Sequence, residues 1–160
     1  ADYCNGSVSM GIRDRLNIVF IETCRSSGDE NPRIPDIGGT VPISEGTAGR
    51  AFLAGCPAAE RKIVINQIMA KTPELFASFQ ANIDKGLRDV AERGFCATPA
   101  GEEKAVVAVS APLRCAVEGM TVVFNCAVPS LHLKKGQLEQ DIGPRLAKMV
   151  REVETAMGVA

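Results

Sequence analysis

The spacing of apolar residues changes twice along the chain, and this order limits the fold more than any other feature. The chain begins with strand-like alternation, continues with a long stretch of helical spacing, and returns to strand-like segments before a last amphipathic segment. Two groups of strands around a block of helices favour an α+β fold, in which helices pack on a mostly antiparallel sheet. The predicted strands are residues 7–12, 16–23, 95–98, 105–114 and 120–128, and the predicted helices are residues 47–55, 58–70, 73–93 and 134–157.

Glycine and proline indicate where several of these elements begin and end. Pro57 precedes the second helix as a start signal, and Gly94 is placed to stop the third. Residues 25–40 are rich in Gly, Pro, Ser and Asp, so we expect a loop there, with at most a short edge strand near residues 33–37. The five residues 115–119 suit a hairpin between the last two strands.

Composition excludes several classes of function. The net charge is -1 and Trp is absent, so neither a strong field nor stacking platforms for nucleic acid are expected. No apolar segment reaches the roughly 18 residues that span a bilayer. The six cysteines lie at least 11 residues apart, which excludes Cys-x-x-Cys pairs and favours a reduced, cytoplasmic protein. We expect no metal, no cofactor and no membrane partner.

Catalytic motifs are missing from the sequence. The only histidine, His132, lies in a polar stretch and is expected to be exposed, so a Ser-His-Asp or Cys-His arrangement is poorly supplied. Paired carboxylates at 29–30 and 102–103 fall in predicted loops, where solvated charge is the usual explanation. We therefore expect that the protein is not an enzyme. A thiol-dependent enzyme that uses Cys96 or Cys126 is the catalytic alternative.

The segment Thr47-Ala48-Gly49 opens the first predicted helix and has two interpretations. Thr47 can cap the helix, and the unpaired amides of the first turn would then form a small anion site at the positive end of the helix dipole. The alternative is that Gly49 only lets the helix pack closely on the sheet. No Lys-Ser or Lys-Thr follows the glycine, which disfavours a phosphate-binding loop.

Two predicted strands carry small or polar residues on one face. Alternation places Asn125 and Ala127 together, opposite an apolar face that suits helix packing. In the strand before it, Ala108 and Ser110 share a face that leaves room for another group. A buried Asn125 needs hydrogen-bond partners, which a neighbouring loop or a polar cavity would supply. Small side chains equally allow tight packing, so both interpretations stay open.

Five motifs resemble, in order, the effector-binding domain of the isocitrate-lyase-regulator (IclR) family of bacterial transcription factors. Each motif alone is weak, but together they run in register over nearly all 160 residues. The motifs are VPISEGTAGRAFLA at 41–54, LRDVAERGFC at 87–96, VAVSAPLR at 107–114, FNCAVP at 124–129, and a final helix that ends at Met157-Gly158.

The resemblance implies a GAF-like fold, with a curved antiparallel sheet, helices on both faces and a small-molecule pocket on the concave face. It implies that residues 1–160 are a single effector-binding domain, and that DNA is contacted only by the family's N-terminal winged helix-turn-helix domain, which is absent from this chain. The implied partners are a small organic or aromatic acid and further copies of the chain in a homodimer or homotetramer. The alternative function is a GAF-like oligomerisation module without a ligand.

The resemblance also implies the residues of the pocket. The backbone at Thr47 and Ala48, beside Gly49, would hold the acid, and Ser110 and Cys96 are further candidates at same-face spacing. The segment ATPAGEEKAV at 97–106 departs from the acidic turn usual in the family, which favours a fully anionic ligand. Arg33 would pair with a carboxylate if it turned inward. The side chains carried over from the family are those of Thr98, Ala108, Asn125 and Ala127.

Overall fold

A computed structural model describes residues 1–27, 34, 36–99 and 104–159, with the side chains of residues 75–77 outside the description. In these residues, four α-helices lie on the two faces of a six-stranded sheet. The strands are β1 (Ser7–Asp14), β2 (Asn17–Arg25), β3 (Thr40–Pro42), β4 (Cys96–Ala97), β5 (Val106–Pro112) and β6 (Val122–Pro129). The helices are α1 (Thr47–Gly55), α2 (Ala58–Lys71), α3 (Phe76–Arg93) and α4 (Gly143–Ala156).

The sheet is curved, and its described strand pairs are antiparallel in the order β3-β2-β1-β6-β5-β4. The first and last strands of the chain therefore meet at its centre. In this register Asn125 of β6 lies between Ser9 of β1 and Ser110 of β5. The observed architecture confirms the α+β fold that the sequence pattern predicts and the curved antiparallel sheet that the resemblance implies.

Each face of the sheet is covered by its own apolar core. Helices α1, α2 and α3 cover one face, where Phe20 and Val123 pack with Phe52 and Ile83. Helix α4 covers the other face, and its cluster includes Val122, Cys126, Val128, Leu146 and Val150. The apolar even-numbered face of β6 thus packs against a helix, as its alternation predicts. The opposite face, which carries Asn125 and Ala127, points towards α1.

Most predicted boundaries agree with the structure. Helix α1 spans the predicted residues 47–55, and α3 ends at Arg93, one residue before Gly94 with its φ of +79°. The hairpin between β5 and β6 is present, and it closes in a tight turn between Val117 and Met120. Glu118 and Gly119 both have positive φ there, as a two-residue type I′ turn requires.

The predicted start of the last helix and the predicted position of the edge strand are wrong. The last helix does not begin at residue 134, because Gly136 adopts a φ of +79° that a right-handed helix cannot contain. A π-helical turn at Leu138–Ile142 precedes α4 instead. The edge strand is β3, not residues 33–37, of which the described residues 34, 36 and 37 are outside any strand. None of the described helices combines the length and the apolar character needed to cross a membrane.

Candidate functional site

Helix α1 begins at the middle of the sheet, and its first residue has a different role from the predicted one. Gly46, not Thr47, is the N-cap residue, and no side chain caps the helix. Thr47 is the first helical residue, and its hydroxyl points to the sheet. The prediction that Thr47 caps the helix is therefore wrong, because hydrogen bonds to β5 and β6 hold its side chain.

Those bonds form a small buried cluster of Thr47, Ser110 and Asn125. Thr47 Oγ1 donates to Asn125 Oδ1 at 3.3 Å, and Ser110 Oγ lies 2.8 Å from both of these oxygens. The Asn125 side chain thus bonds side-chain hydroxyls, not the backbone of a loop. Its Nδ2 donates no hydrogen bond to the described residues, so this amide keeps a free donor.

A cavity of about 160 Å³ lies beside this cluster, between the start of α1 and the strands β5 and β6. An engineered apolar cavity of about 150 Å³ holds one benzene ring, so this space suits a molecule with a single ring or a short chain. Its charged or polar lining consists of Glu45, Thr47, Arg50, Thr98, Lys104 and Asn125. Its apolar or small lining consists of Phe20, Val41, Gly46, Ala48, Val106, Ala108 and Ala127.

Six of the predicted site residues line this one cavity although they come from four separate segments of the chain: Thr47, Ala48, Thr98, Ala108, Asn125 and Ala127. They meet because α1 crosses the strands at the point where the small residues of β5 and β6 lie side by side. The Thr98 hydroxyl is already bonded to the backbone of Ala108, where it extends the pairing of β4 with β5. A role for these residues in binding stays a prediction.

The other predicted site residues lie outside the lining. Ser110 does not line the cavity, but its hydroxyl is within hydrogen-bond distance of two lining residues, Thr47 and Asn125. Cys96 is buried behind Thr47, and its thiol donates to the Thr47 carbonyl at 3.4 Å. Gly49 faces the turn before α1, where a Cβ would overlap the carbonyl oxygen of Ile43. Arg33 lies outside the described residues.

Arg50 is the most informative lining residue that the sequence interpretation left out. Its Nη2 donates to the Ala97 carbonyl at 3.1 Å, and its buried Nε has no hydrogen-bond partner among the described residues. The signal was present in the sequence as a single charge inside the apolar segment TAGRAFLAG. Lys104 and Glu45 also line the cavity and had no such signal.

The described lining of the site contains charged side chains of both signs. Arg50 and Lys104 are its cations, and Glu45 is the acidic side chain among its described lining residues. The backbone amides of Thr47 and Ala48 donate no hydrogen bond to the described residues, and they lie at the positive end of the α1 dipole. This combination attracts an anion. Among the described residues, no group of three or more His, Cys, Asp or Glu is placed to hold a metal ion.

The cysteine nearest to the cavity is a poor nucleophile. Burial raises the pKa of the Cys96 thiol to about 11, and the nearby Arg50 charge offsets only part of that rise. Cys96 therefore stays a protonated thiol at neutral pH, whereas a catalytic cysteine must ionise.

Comparison with known proteins identifies relatives that share this architecture. The family described as "Bacterial transcriptional regulator IclR C-terminal" matches residues 1–155. A crystal structure of an IclR-family transcriptional regulator from Brucella abortus is 35% identical, with a TM-score of 0.87, over 98% of this chain and 58% of that chain. The IclR structure from Thermotoga maritima, at 15% identity and a TM-score of 0.71, covers 99% of this chain and 63% of that chain and shows the same fold.

A curated relative points in the same direction. The HTH-type transcriptional regulator TsaQ1/TsaQ2 of Comamonas testosteroni is 25% identical over 155 residues, which are 96% of this chain and 56% of the relative. This chain therefore spans little more than half the length of the Comamonas testosteroni and Brucella abortus regulators. These relatives are regulators of transcription.

Proposed function

The chain belongs to the IclR family of bacterial transcriptional regulators, as its C-terminal domain, and we propose that this domain senses a small organic or aromatic acid in the cavity beside α1. The proposal rests on three kinds of donor that lie at one cavity: free helix amides, the Arg50 guanidinium with its buried and unpaired Nε, and the Asn125 side-chain amide. Together these groups offer an anion several hydrogen-bond donors.

The carboxylate would bind at the start of α1. Amides at a helix N-terminus favour negative charge, and here Thr47 and Ala48 are the first two helical residues and line the cavity. The Arg50 Nε is buried without a partner among the described residues, which is costly unless a ligand or water supplies an acceptor. A carboxylate satisfies both requirements.

The remaining surface of the cavity would select the body of the acid. Phe20, Val41 and Val106 offer an apolar wall, and Ala108 and Ala127 leave space against the sheet. Asn125 would donate its free Nδ2 to a second polar group, such as a keto or hydroxyl oxygen. The volume of about 160 Å³ limits the acid to one ring or a short chain.

Two alternatives have less support. An oligomerisation module without a ligand would be expected to fill this space with its own side chains, whereas a polar cavity is present. A thiol enzyme would need a low-pKa cysteine at the site, whereas the pKa of Cys96 is raised. The sensor interpretation accounts for both features.

The acid would act on transcription through a separate winged helix-turn-helix domain, in a regulator that works in the cytoplasm as a homodimer or homotetramer. Binding shifts an equilibrium only if one arrangement of the subunits binds the acid more tightly than the other. Helix α1 would transmit that difference, because it lines the cavity and also contacts α3 and β5.

A thermal-shift panel tests the proposal with matched ligands. Each aliphatic 2-oxo acid or aromatic acid is compared with its own primary amide, which has nearly the same shape but no charge. A ligand at 100 times its Kd adds about 2.7 kcal/mol to the free energy of unfolding, which is roughly 5–10 °C for a chain of this size. We expect such a shift with one class of acid and little shift with the amides.

A pair of variants then locates the charge recognition. Arg50→Gln removes the guanidinium at the cavity, and the control Arg151→Gln makes the same change on the exposed surface of α4. Losing a charged hydrogen bond costs about 1.5–3 kcal/mol, so Arg50→Gln should weaken binding about 10- to 100-fold. The absence of a shift with every acid, in protein that melts cooperatively, would refute the sensor and favour the oligomerisation module.

A further inference from the structure

Cys4 and Cys126 lie in contact on the face of the sheet opposite the effector cavity. Cys4 ends the 3-10 turn Asp2–Cys4, and Cys126 is in the middle of β6, on the side covered by α4. Their sulfur atoms are 3.6 Å apart, although the two residues are separated by 122 positions in the sequence. Both are free thiols, and no other two thiols in the described chain are in such contact.

A second cavity gives small molecules access to this pair. It has a volume of about 230 Å³, and both cysteines line it together with Arg145, Leu146 and Met149 of α4. A water molecule occupies about 30 Å³ in the liquid, so several molecules of the size of water or hydrogen peroxide fit. Both thiols are therefore reachable by a small oxidant although they are buried against large reagents.

The two sulfurs are chemically different. Either sulfur can donate the hydrogen bond between them, but an ionised Cys4 can only accept it, and this bond is the chief reason that the pKa of Cys4 is lowered and the pKa of Cys126 is raised. Cys4 is thus the readier thiolate, and Cys126 keeps its proton. Arg145 adds a positive charge at the same cavity, where Asp141 holds its Nε at 2.7 Å. An anion at Cys4 is favoured by the hydrogen bond with Cys126.

We propose that Cys4 and Cys126 form a reversible disulfide in response to peroxide, which makes this pair a modification site separate from the effector cavity. The Cys4 thiolate attacks one peroxide oxygen, the O–O bond breaks, and the released hydroxide takes up a proton to become water. Once Cys4 is an uncharged sulfenic acid, the thiolate that held the Cys126 proton is gone. The Cys126 sulfur then attacks the sulfenic acid sulfur, an S–S bond forms, and the Cys126 proton leaves with the hydroxyl group as a second water. Two thiols and one peroxide thus give one disulfide and two waters, with two electrons passing from sulfur to oxygen.

The geometry allows this bond with a small movement. The sulfur atoms must approach from 3.6 Å to about 2.05 Å, and Cys4 lies in the short 3-10 turn Asp2–Cys4, not in a strand of the sheet. The bond would fasten this turn to β6. The neighbour of Cys126 in that strand, Asn125, lines the effector cavity on the other face, so oxidation would act on the strand that carries the site.

Peptide mapping tests the proposal on protein in which Cys24→Ser and Cys115→Ser remove the two cysteines that are not buried. After treatment with hydrogen peroxide and digestion without reduction, we expect a peptide that joins Cys4 to Cys126 and is about 2 Da lighter than its two parts, in line with the two hydrogens lost. A dithiol reductant should restore both thiols. Closing so long a loop should raise Tm by about 10–15 °C.

The matched control is Cys4→Ser in the same background, which should give no linked peptide and leave Cys126 a free thiol. Two results would overturn the proposal in the protein that retains the pair, and neither depends on the folding of this control. One is that both cysteines remain open to alkylation after peroxide treatment and unfolding. The other is that Cys4 proceeds to the sulfinic acid without any link to Cys126.

Discussion

Replacing Gly49 by alanine tests whether a close contact between backbone segments fixes the start of α1. A Cβ at this position would overlap the Ile43 carbonyl oxygen and lie 2.5 Å from the Ile43 Cα, whereas carbon atoms pack best at about 3.5–4.0 Å. These are backbone atoms that no side-chain rotation can remove. Helix α1 or the turn before it must therefore move by about 1 Å.

The cost follows from two opposing effects. Overpacking in a well-packed region costs about 1–3 kcal/mol, and the upper end applies here because backbone atoms are involved. Alanine is a better helix former than glycine by up to about 1 kcal/mol. The net loss in the free energy of unfolding is about 2 kcal/mol, so we expect Gly49→Ala to lower Tm by about 4–8 °C.

Thermal unfolding of the wild type, Gly49→Ala and the control Gly46→Ala shows which of the two effects is larger. At Gly46 a Cβ would lie 3.9 Å from its nearest neighbour, so it fits without overlap. The remaining cost is that alanine is a poorer N-cap residue than glycine, which lowers the free energy of unfolding by at most about 1 kcal/mol. If Gly49→Ala melted at or above the wild-type temperature, helix propensity would outweigh the contact and the packing interpretation of Gly49 would be wrong.

Three further changes have expected outcomes. Glu154, which is 1% exposed, accepts bonds from Arg114; burial opposes its ionisation, but these bonds outweigh it and lower its pKa. Glu154→Gln should therefore lower the free energy of unfolding by about 1.5–3 kcal/mol at pH 7. The difference in Tm between this variant and the wild type should shrink in acid, as the pH falls through the lowered pKa of Glu154. A difference in Tm that does not change with pH would contradict this. Iodoacetamide at pH 8 should label the exposed Cys24 and leave Cys96, whose pKa is raised to about 11 by burial, unmodified in the native protein; equal labelling would refute that burial. Ser110→Ala should lower stability by about 1–2 kcal/mol because it breaks the cluster with Thr47 and Asn125, whereas Ser130→Ala at an exposed 3.3 Å contact should change little; equal effects would mean that the cluster adds nothing.

The parts of the fold that depend on local spacing could be predicted from the sequence. Apolar residues and flanking glycines predict helix α1 within its observed bounds. The two faces of β6 follow from alternation, which is why Asn125 and Ala127 could be assigned to one side. The start of the last helix could not be predicted, because sequence alone does not show that Gly136 adopts a positive φ.

The parts of the site that depend on pairing between distant segments could not be predicted from spacing. The local sequence predicts that the Thr47 hydroxyl caps α1, but in the structure this hydroxyl forms hydrogen bonds with Ser110 and Asn125 of the sheet instead. Arg50 was visible as an isolated charge, yet only the approach of β4 to α1 shows its bond to Ala97 and its position at the cavity. The contact of Cys4 with Cys126 likewise depends on β1 lying beside β6.

The most direct test of the proposed sensor is a titration followed by ¹H–¹⁵N NMR, with the acid that gives the largest thermal shift. The amides of Thr47 and Ala48 and the side-chain Nδ2 of Asn125 line the cavity and have no acceptor in the described part of the chain. We predict that these three signals change most as the acid is added, and that its primary amide leaves them in place. Changes confined to other parts of the chain would contradict the assignment of the effector to this cavity.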